Sequence, residues 1–226
     1  MKNTLIKFMK SGKLSRTIEI INDEVYLTEF DEYENIIHEK NPKYELNATV
    51  INGKITTEKI KNSDGSTDIN SYTYIGDKLI SHWHASYTKE YIRQVTISNI
   101  YNEENKRIGF NTIFPGGEVI TSSIEYKDNK EIITSSDGNV EVFTYDNNKR
   151  CISIESNTYK NYMKYDEKGN VIHNQSLYFI EEENTWDCVD EFNTYNEHDD
   201  VIRTIVQNKN DKEIIERQVF YIEEGD

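Results

Sequence analysis

The chain has 226 residues, with 41 acidic against 26 basic side chains and a formal net charge of −15 at pH 7. That length supports a sizeable buried core, and 16 Tyr, 8 Phe and only 2 Pro suit strands and argue against disorder despite 30% charged residues. No apolar run approaches the roughly 20 residues of a spanning helix, and Cys151 and Cys188 are too few and too separate for a disulfide framework.

In chain order, residues 3–9 and 13–21 alternate as a hairpin about Ser11-Gly12. Lys7, Lys10 and Lys13 interrupt this opening, so it lacks the continuous apolar stretch of a signal peptide, and cytoplasmic residence is expected. Pro42 breaks the chain before Tyr44–Ile51, and Asn52-Gly53 is a strong two-residue hairpin signal. Asp64-Gly65 and Gly76-Asp77 mark further turns, the second joining strands at Asp68–Tyr74 and Lys78–Tyr87.

From Tyr91 the pattern becomes regular, and one phrase is written twice: YDNNKRCI from Tyr145 and YDEKGNVI from Tyr165. An aromatic opens, polar turn residues follow, and an Ile closes seven positions later; Tyr101/Ile108, Tyr126/Ile133, Tyr195/Ile202 and, more weakly, Phe30/Ile37 keep that spacing. A four-residue loop places Tyr165 opposite Asn170 and Met163 opposite Ile172, so Tyr165, Met163 and Ile172 share one face. No stretch carries apolar residues at helical spacing. The expectation is one all-β domain over 1–226, with less regular hairpins in 1–90 and regular repeats in 91–222. About sixteen to nineteen antiparallel strands form a meander of hairpins that twists into an open-faced sheet or half-barrel.

These motifs resemble the bacterial YD-repeat, or Rhs-like, proteins, whose units carry Tyr-Asp, a Gly and then an aliphatic residue. YDEKGNVI matches the unit, YDNNKRCI lacks the Gly, and YNEHDDVI from Tyr195 keeps the frame without the Asp or Gly. The stretch Glu183–Ile202 is similar to the Trp-containing hairpins of that group's smaller members. The resemblance implies a scaffold and no catalytic residues. By size and acidity the chain also resembles immunity proteins that accompany polymorphic toxins.

The acidity is local: residues 166–226 hold 17 acidic and 5 basic side chains, the first 165 hold 24 and 21. Such a field repels nucleic acid and anionic membrane and favours a basic partner. Glu181, Glu182, Glu183, Asp187, Asp190 and Glu191 flank Trp186, and Glu197, Asp199 and Asp200 occupy the next turn. Carboxylates around an amphipathic aromatic suit a binder of a basic surface, the charges speeding encounter and the aromatic supplying contact energy.

His82 and His84 flank Trp83 and would face one side of a strand about 6–7 Å apart, a spacing that can chelate a metal, but no companion motif supplies further ligands. No nucleophile elbow, Gly-rich phosphate loop or activated thiol is present in the sequence. The expectation is therefore a non-enzymatic immunity protein, without metal or cofactor, that binds a basic toxin domain such as a nuclease. A carbohydrate- or surface-binding repeat protein, its hairpin-end tyrosines stacked on sugars, is the alternative. A hydrolase on an open sheet would have only His82, His84 and His173 to draw on.

Overall fold

The computed structural model describes residues 2–224, and among them there is no helix. Nineteen strands follow one another: β1 (Lys2–Lys10), β2 (Lys13–Ile21), β3 (Glu24–Phe30), β4 (Ile36–Lys40), β5 (Tyr44–Ile51), β6 (Lys54–Asn62), β7 (Thr67–Ile75), β8 (Lys78–Tyr87), β9 (Ile92–Tyr101) and β10 (Arg107–Ile113). The series continues with β11 (Val119–Lys127), β12 (Lys130–Ser135), β13 (Val140–Tyr145), β14 (Cys151–Glu155), β15 (Tyr159–Tyr165), β16 (Val171–Ile180), β17 (Thr185–Tyr195), β18 (Val201–Asn208) and β19 (Lys212–Glu224). The all-β meander of antiparallel hairpins is thus as expected. The described residues cluster into two compact units, one of Lys2–Ile100, Phe110–Val119 and 218–224, the other of Tyr101–Gly109 and Ile120–Arg217.

In the first unit β1 through β9 pair consecutively. The expected open-faced sheet or half-barrel is corrected here: β1 hydrogen-bonds to β10 and β19 as well as β2, and β9 pairs with β10 as well as β8. A free edge would present unpaired backbone groups to any passing strand, and these extra pairings occupy them. In the second unit β11 through β19 pair consecutively.

The repeated phrase builds one turn five times. The amide of its first polar residue donates to the carbonyl four residues on at 2.9–3.0 Å, in Asp31/Asn35, Asn102/Lys106, Asp146/Arg150, Asp166/Asn170 and Asn196/Asp200. The fourth residue takes positive φ: Glu34 +64°, Asn105 +65°, Lys149 +64°, Asp199 +62° and Gly169 +101°. Only the last of these is a glycine, so the other four turns carry the steric cost of a Cβ in the left-handed region. The opening Asx side chain offsets part of it. Asp146 Oδ1 accepts the amides of Asn148 and Arg150 at 2.8 and 2.9 Å, and Asp166 Oδ1 those of Gly169 and Asn170 at 2.8 Å.

The register differs from the expected one by one residue at Tyr165 and by two at Met163. Tyr165 pairs with Val171, Lys164 with His173 and Met163 with Asn174, which leaves Ile172 without a cross-strand partner. The same shift skips Ile37, Ile152 and Ile202. The closing Ile of the phrase is therefore the extra residue of a bulge, not the face-mate of Met163, because the turn with its left-handed fourth residue does not hand the chain back in simple register. Tyr126/Ile133 belongs to another turn type: Lys127 pairs with Lys130 across a two-residue loop, and Ile133 meets Ile124.

At Ile152 and Ile172 the carbonyl just before the bulge accepts a tyrosine hydroxyl from the next strand, and Tyr126 makes the like contact before Ile108. Tyr165 Oη donates to the Cys151 carbonyl at 2.6 Å, Tyr195 Oη to Val171 at 2.9 Å and Tyr126 Oη to Arg107 at 3.0 Å. Every acceptor lies just before the closing Ile of the preceding phrase. Burial raises all three phenol pKa values, so the hydroxyls stay protonated donors. Cations from the preceding turns cover two of these rings, Lys106 over Tyr126 at 3.5 Å and Arg150 over Tyr165 at 4.7 Å.

The buried set is small and polar-rich among the described residues. Ala85, Ile124 and Ile133 are the buried apolar side chains, while Asn3, Ser122, Ser153, Asn161, Asp200 and Thr204 are buried polar ones. Asn161 Nδ2 reaches Asn174 Oδ1 at 2.7 Å and Ser176 Oγ at 2.9 Å, so its burial is compensated. Gly109 is fixed by contact: a Cβ there would meet the Ser122 carbonyl at 2.5 Å.

Tyr165→Phe should lower stability by about 1 kcal/mol, since it strands a carbonyl, or roughly 2–4 °C in Tm for a chain this size; Tyr162→Phe serves as control in the same thermal scan. Lys149→Gly should raise stability by about 0.5–1 kcal/mol by relieving its left-handed backbone, whereas Gly109→Ala should lower it by about 1–3 kcal/mol through overpacking. Equal melting temperatures across these variants would contradict the turn and bulge geometry.

Candidate functional site

The acidic segment falls on β16, β17 and β18 and their loops. Glu181–Asn184 turns between β16 and β17, with Asn184 at φ +49°, and Glu181, Glu182 and Glu183 are all exposed. No ion pair to these three glutamates occurs among the described residues.

Strand alternation then divides the remaining residues. β17 pairs with β16 so that Trp186 lies opposite Phe179, Cys188 opposite Leu177, Asp190 opposite Gln175 and Phe192 opposite His173. These side chains share one face. Asp187 and Glu191 point to the other, where Asp187 meets Tyr178 and Glu191 meets Asn174. The ten predicted binding residues therefore do not form one patch. Asp199 is committed within the protein: Lys168 Nζ and Asn170 Nδ2 donate to its Oδ1 at 2.9 and 3.0 Å and hold its carboxyl below the usual range. Asp200 is buried at 7% exposure and leaves the surface altogether, while Glu197 stays exposed.

The face that carries Trp186 is the organised one. Asp190 Oδ1 accepts from His173 Nε2 at 2.7 Å and Gln175 Nε2 at 3.1 Å, and Cys188 Sγ lies 3.6 Å from Oδ2. Burial opposes ionisation of Asp190, but the hydrogen bonds from His173, Gln175 and Cys188 outweigh it and keep the carboxylate charged below its normal range. The His173 ring stacks on Phe192 at 4.4 Å with a 2° interplanar angle. Trp186 tilts against Phe179 at 5.3 Å and carries Lys160 Nζ over its ring at 4.8 Å. A cavity of about 300 Å³ opens beside them, lined by Trp186, Asp187, Cys188, Asp190, Gln207, Asn208 and Lys209.

Sequence reading missed His173, Gln175 and Gln207 as members of this site. Period-two alternation along β16 and β18 could have found them, but only with the register, and that depends on the bulges. Burial pushes both thiols up, with Asp190 adding to the effect at Cys188, which lowers their thiolate fraction.

The histidine pair of β8 is tied to a carboxamide. Asn70 Nδ2 donates to Glu58 Oε2 at 3.1 Å, which fixes the amide so that its Oδ1 faces His84 Nδ1 at 2.8 Å and His82 Nε2 at 3.2 Å. Both rings must then donate to Asn70. Among the described residues no group of three His, Cys, Asp or Glu side chains is placed to hold a metal. Tyr72 stacks on His82 at 4.7 Å and also donates to Glu58 at 2.6 Å.

Burial, and then the neighbouring His84, depress the His82 pKa against a smaller opposing pull from Glu58. The unfolded chain therefore takes up that proton first as pH falls below about 6.5, and stability is lost in that direction. His82→Gln should flatten the stability profile between about pH 7.5 and 5.5 in urea titrations; a slope identical to the parent chain would contradict this environment for His82.

No protein-family model matches the chain, and no curated protein does. Among solved structures, the Photorhabdus luminescens Tc holotoxin pore shares 10% identity over 89% of this chain and 14% of that one, with a TM-score of 0.34. The TcdB2–TccC3 crystal structure shares 7% identity over 90% of this chain and 19% of that one, also at 0.34. The chain thus spans less than a fifth of the length of either structure it resembles, and a likeness at this TM-score carries no argument about what it does.

Proposed function

We propose that this chain is a non-catalytic binding protein for a basic protein surface, acting as an immunity protein that neutralises a basic bacterial toxin domain in the cytoplasm on an Rhs-like hairpin scaffold. The carrying observation is the exposed loop Glu181–Glu183, whose three carboxylates have no cationic partner among the described residues and stand next to Trp186. Uncompensated like charges at a loop tip cost stability, and an opposing basic surface recovers that cost while accelerating encounter. The five turns of one geometry, two of them opening on Tyr-Asp, support the scaffold part of the reading.

Sugar stacking by the hairpin-end tyrosines is the competing reading and gains no support from the side-chain arrangement. Lys106 and Arg150 cover ring faces of Tyr126 and Tyr165, and both hydroxyls are engaged with backbone.

The test is a pull-down with the tagged chain from its native cytoplasm at low and high salt, followed by co-expression with whatever basic protein is retained. A partner that is lost as salt rises, whose toxicity the chain suppresses, and whose association slows about tenfold or more when Glu181, Glu182 and Glu183 are changed to Lys is the expected result. Retention and rate unchanged by that triple reversal would overturn the assignment of the loop.

A further inference from the structure

The pocket between β17 and the end of β18 combines an aromatic face, an anchored carboxylate and amide groups in about 300 Å³, the lower end of volumes that hold small organic groups. Resting on the binding role above, we infer that this pocket is a guanidinium site that receives one arginine side chain of the protein partner.

The chemistry is specific on three counts. Asp190 is held in place through Oδ1 by His173 and Gln175, which leaves Oδ2 with only a weak contact to the Cys188 thiol. An oriented carboxylate with one oxygen still short of donors suits a forked cation, because a planar guanidinium supplies several N–H groups at fixed angles. Trp186 supplies the second element. Lys160 on β15 already sits over its ring at 4.8 Å, so the indole attracts cations in this setting, and Lys160 is not among the residues lining the pocket, which opens on the β18 side. The third element is the exposed rim: Gln207, directly opposite Asp190 across the β17–β18 pair, offers an amide in the position where a guanidinium needs another acceptor. Lys209 also lines the pocket, and its charge opposes a bound guanidinium, so the Asp190 carboxylate has to outweigh it.

The probe is N-acetyl-arginine amide, titrated into the full chain while the Trp186 indole N–H resonance is followed by NMR, with Trp186→Phe identifying the signal. A saturable shift with a dissociation constant of about 1–10 mM is expected. N-acetyl-citrulline amide, which keeps the shape without the charge, should give no saturable shift, and N-acetyl-lysine amide should bind about fivefold or more weakly. Asp190→Asn should weaken arginine binding about tenfold. Gln207→Glu, an exposed change that spares the core, should tighten it severalfold, so the proposal stays testable if Asp190→Asn perturbs folding. No saturation up to about 100 mM, equal responses to arginine and citrulline, equal affinity for lysine, or no effect of Gln207→Glu would each overturn it. The binding role fails separately: a basic partner retained at full affinity by Asp190→Asn preserves that role while removing this pocket from it.

Discussion

The hydrogen bond from a tyrosine hydroxyl to the carbonyl just before the closing isoleucine of the preceding phrase recurs through this fold, and at Ile152 and Ile172 that isoleucine is bulged. Tyr126, Tyr165 and Tyr195 make it in the same way, at 2.6–3.0 Å. A bulge interrupts the ladder and leaves backbone polarity that has to be satisfied, and an aromatic side chain can reach it from the neighbouring strand while its ring covers the gap. At Cys151 and Val171 the following hairpin thereby completes the one before it. Charged groups repeat the linkage at the turn tips, with Arg150 Nη1 donating to the Asp166 carbonyl at 3.2 Å and Lys168 pairing with Asp199 at 2.9 Å.

That arrangement explains how a chain with so few fully buried apolar side chains holds an all-β fold. Much of the stabilisation is spread over half-buried tyrosines, isoleucines and satisfied amides such as Asn161, rather than concentrated in a dry centre. A distributed design of this kind leaves polar side chains aligned on sheet faces, where strand register alone decides which of them meet. The Asn70, His82 and His84 cluster and the Asp190, His173 and Gln175 cluster are two products of it. In both, an oxygen accepts from two donors at once, and the fixed geometry comes from neighbours on adjoining strands.

The acidic segment illustrates the difference between composition and presentation. Its charge is a property of the sequence, but Asp200 is buried, Asp199 is tied to Lys168 and Asn170, and Asp187 and Asp190 lie on opposite faces. What remains for a partner is the Glu181–Glu183 loop and, separately, the Trp186–Asp190 face. These are distinct features with distinct physics: a solvated charge cluster steers encounter, while a carboxylate fixed beside an aromatic selects the group that docks.

Local chemistry was enough to determine the hairpins, their turns and the absence of helices, since Asx side chains, glycines and two-residue alternation act over a few neighbouring residues. The Asn52-Gly53 and Asp166–Gly169 turns were legible for that reason, with both glycines at positive φ as their places require. Tertiary structure decided the rest. The bulges at Ile37, Ile152, Ile172 and Ile202, the extra pairings of β1, and the meeting of Trp186, Asp190, His173 and Gln207 all depend on register between strands. A shift of one residue moves every side chain to the other face, so a sequence that specifies each turn still leaves the composition of each face to the pairing.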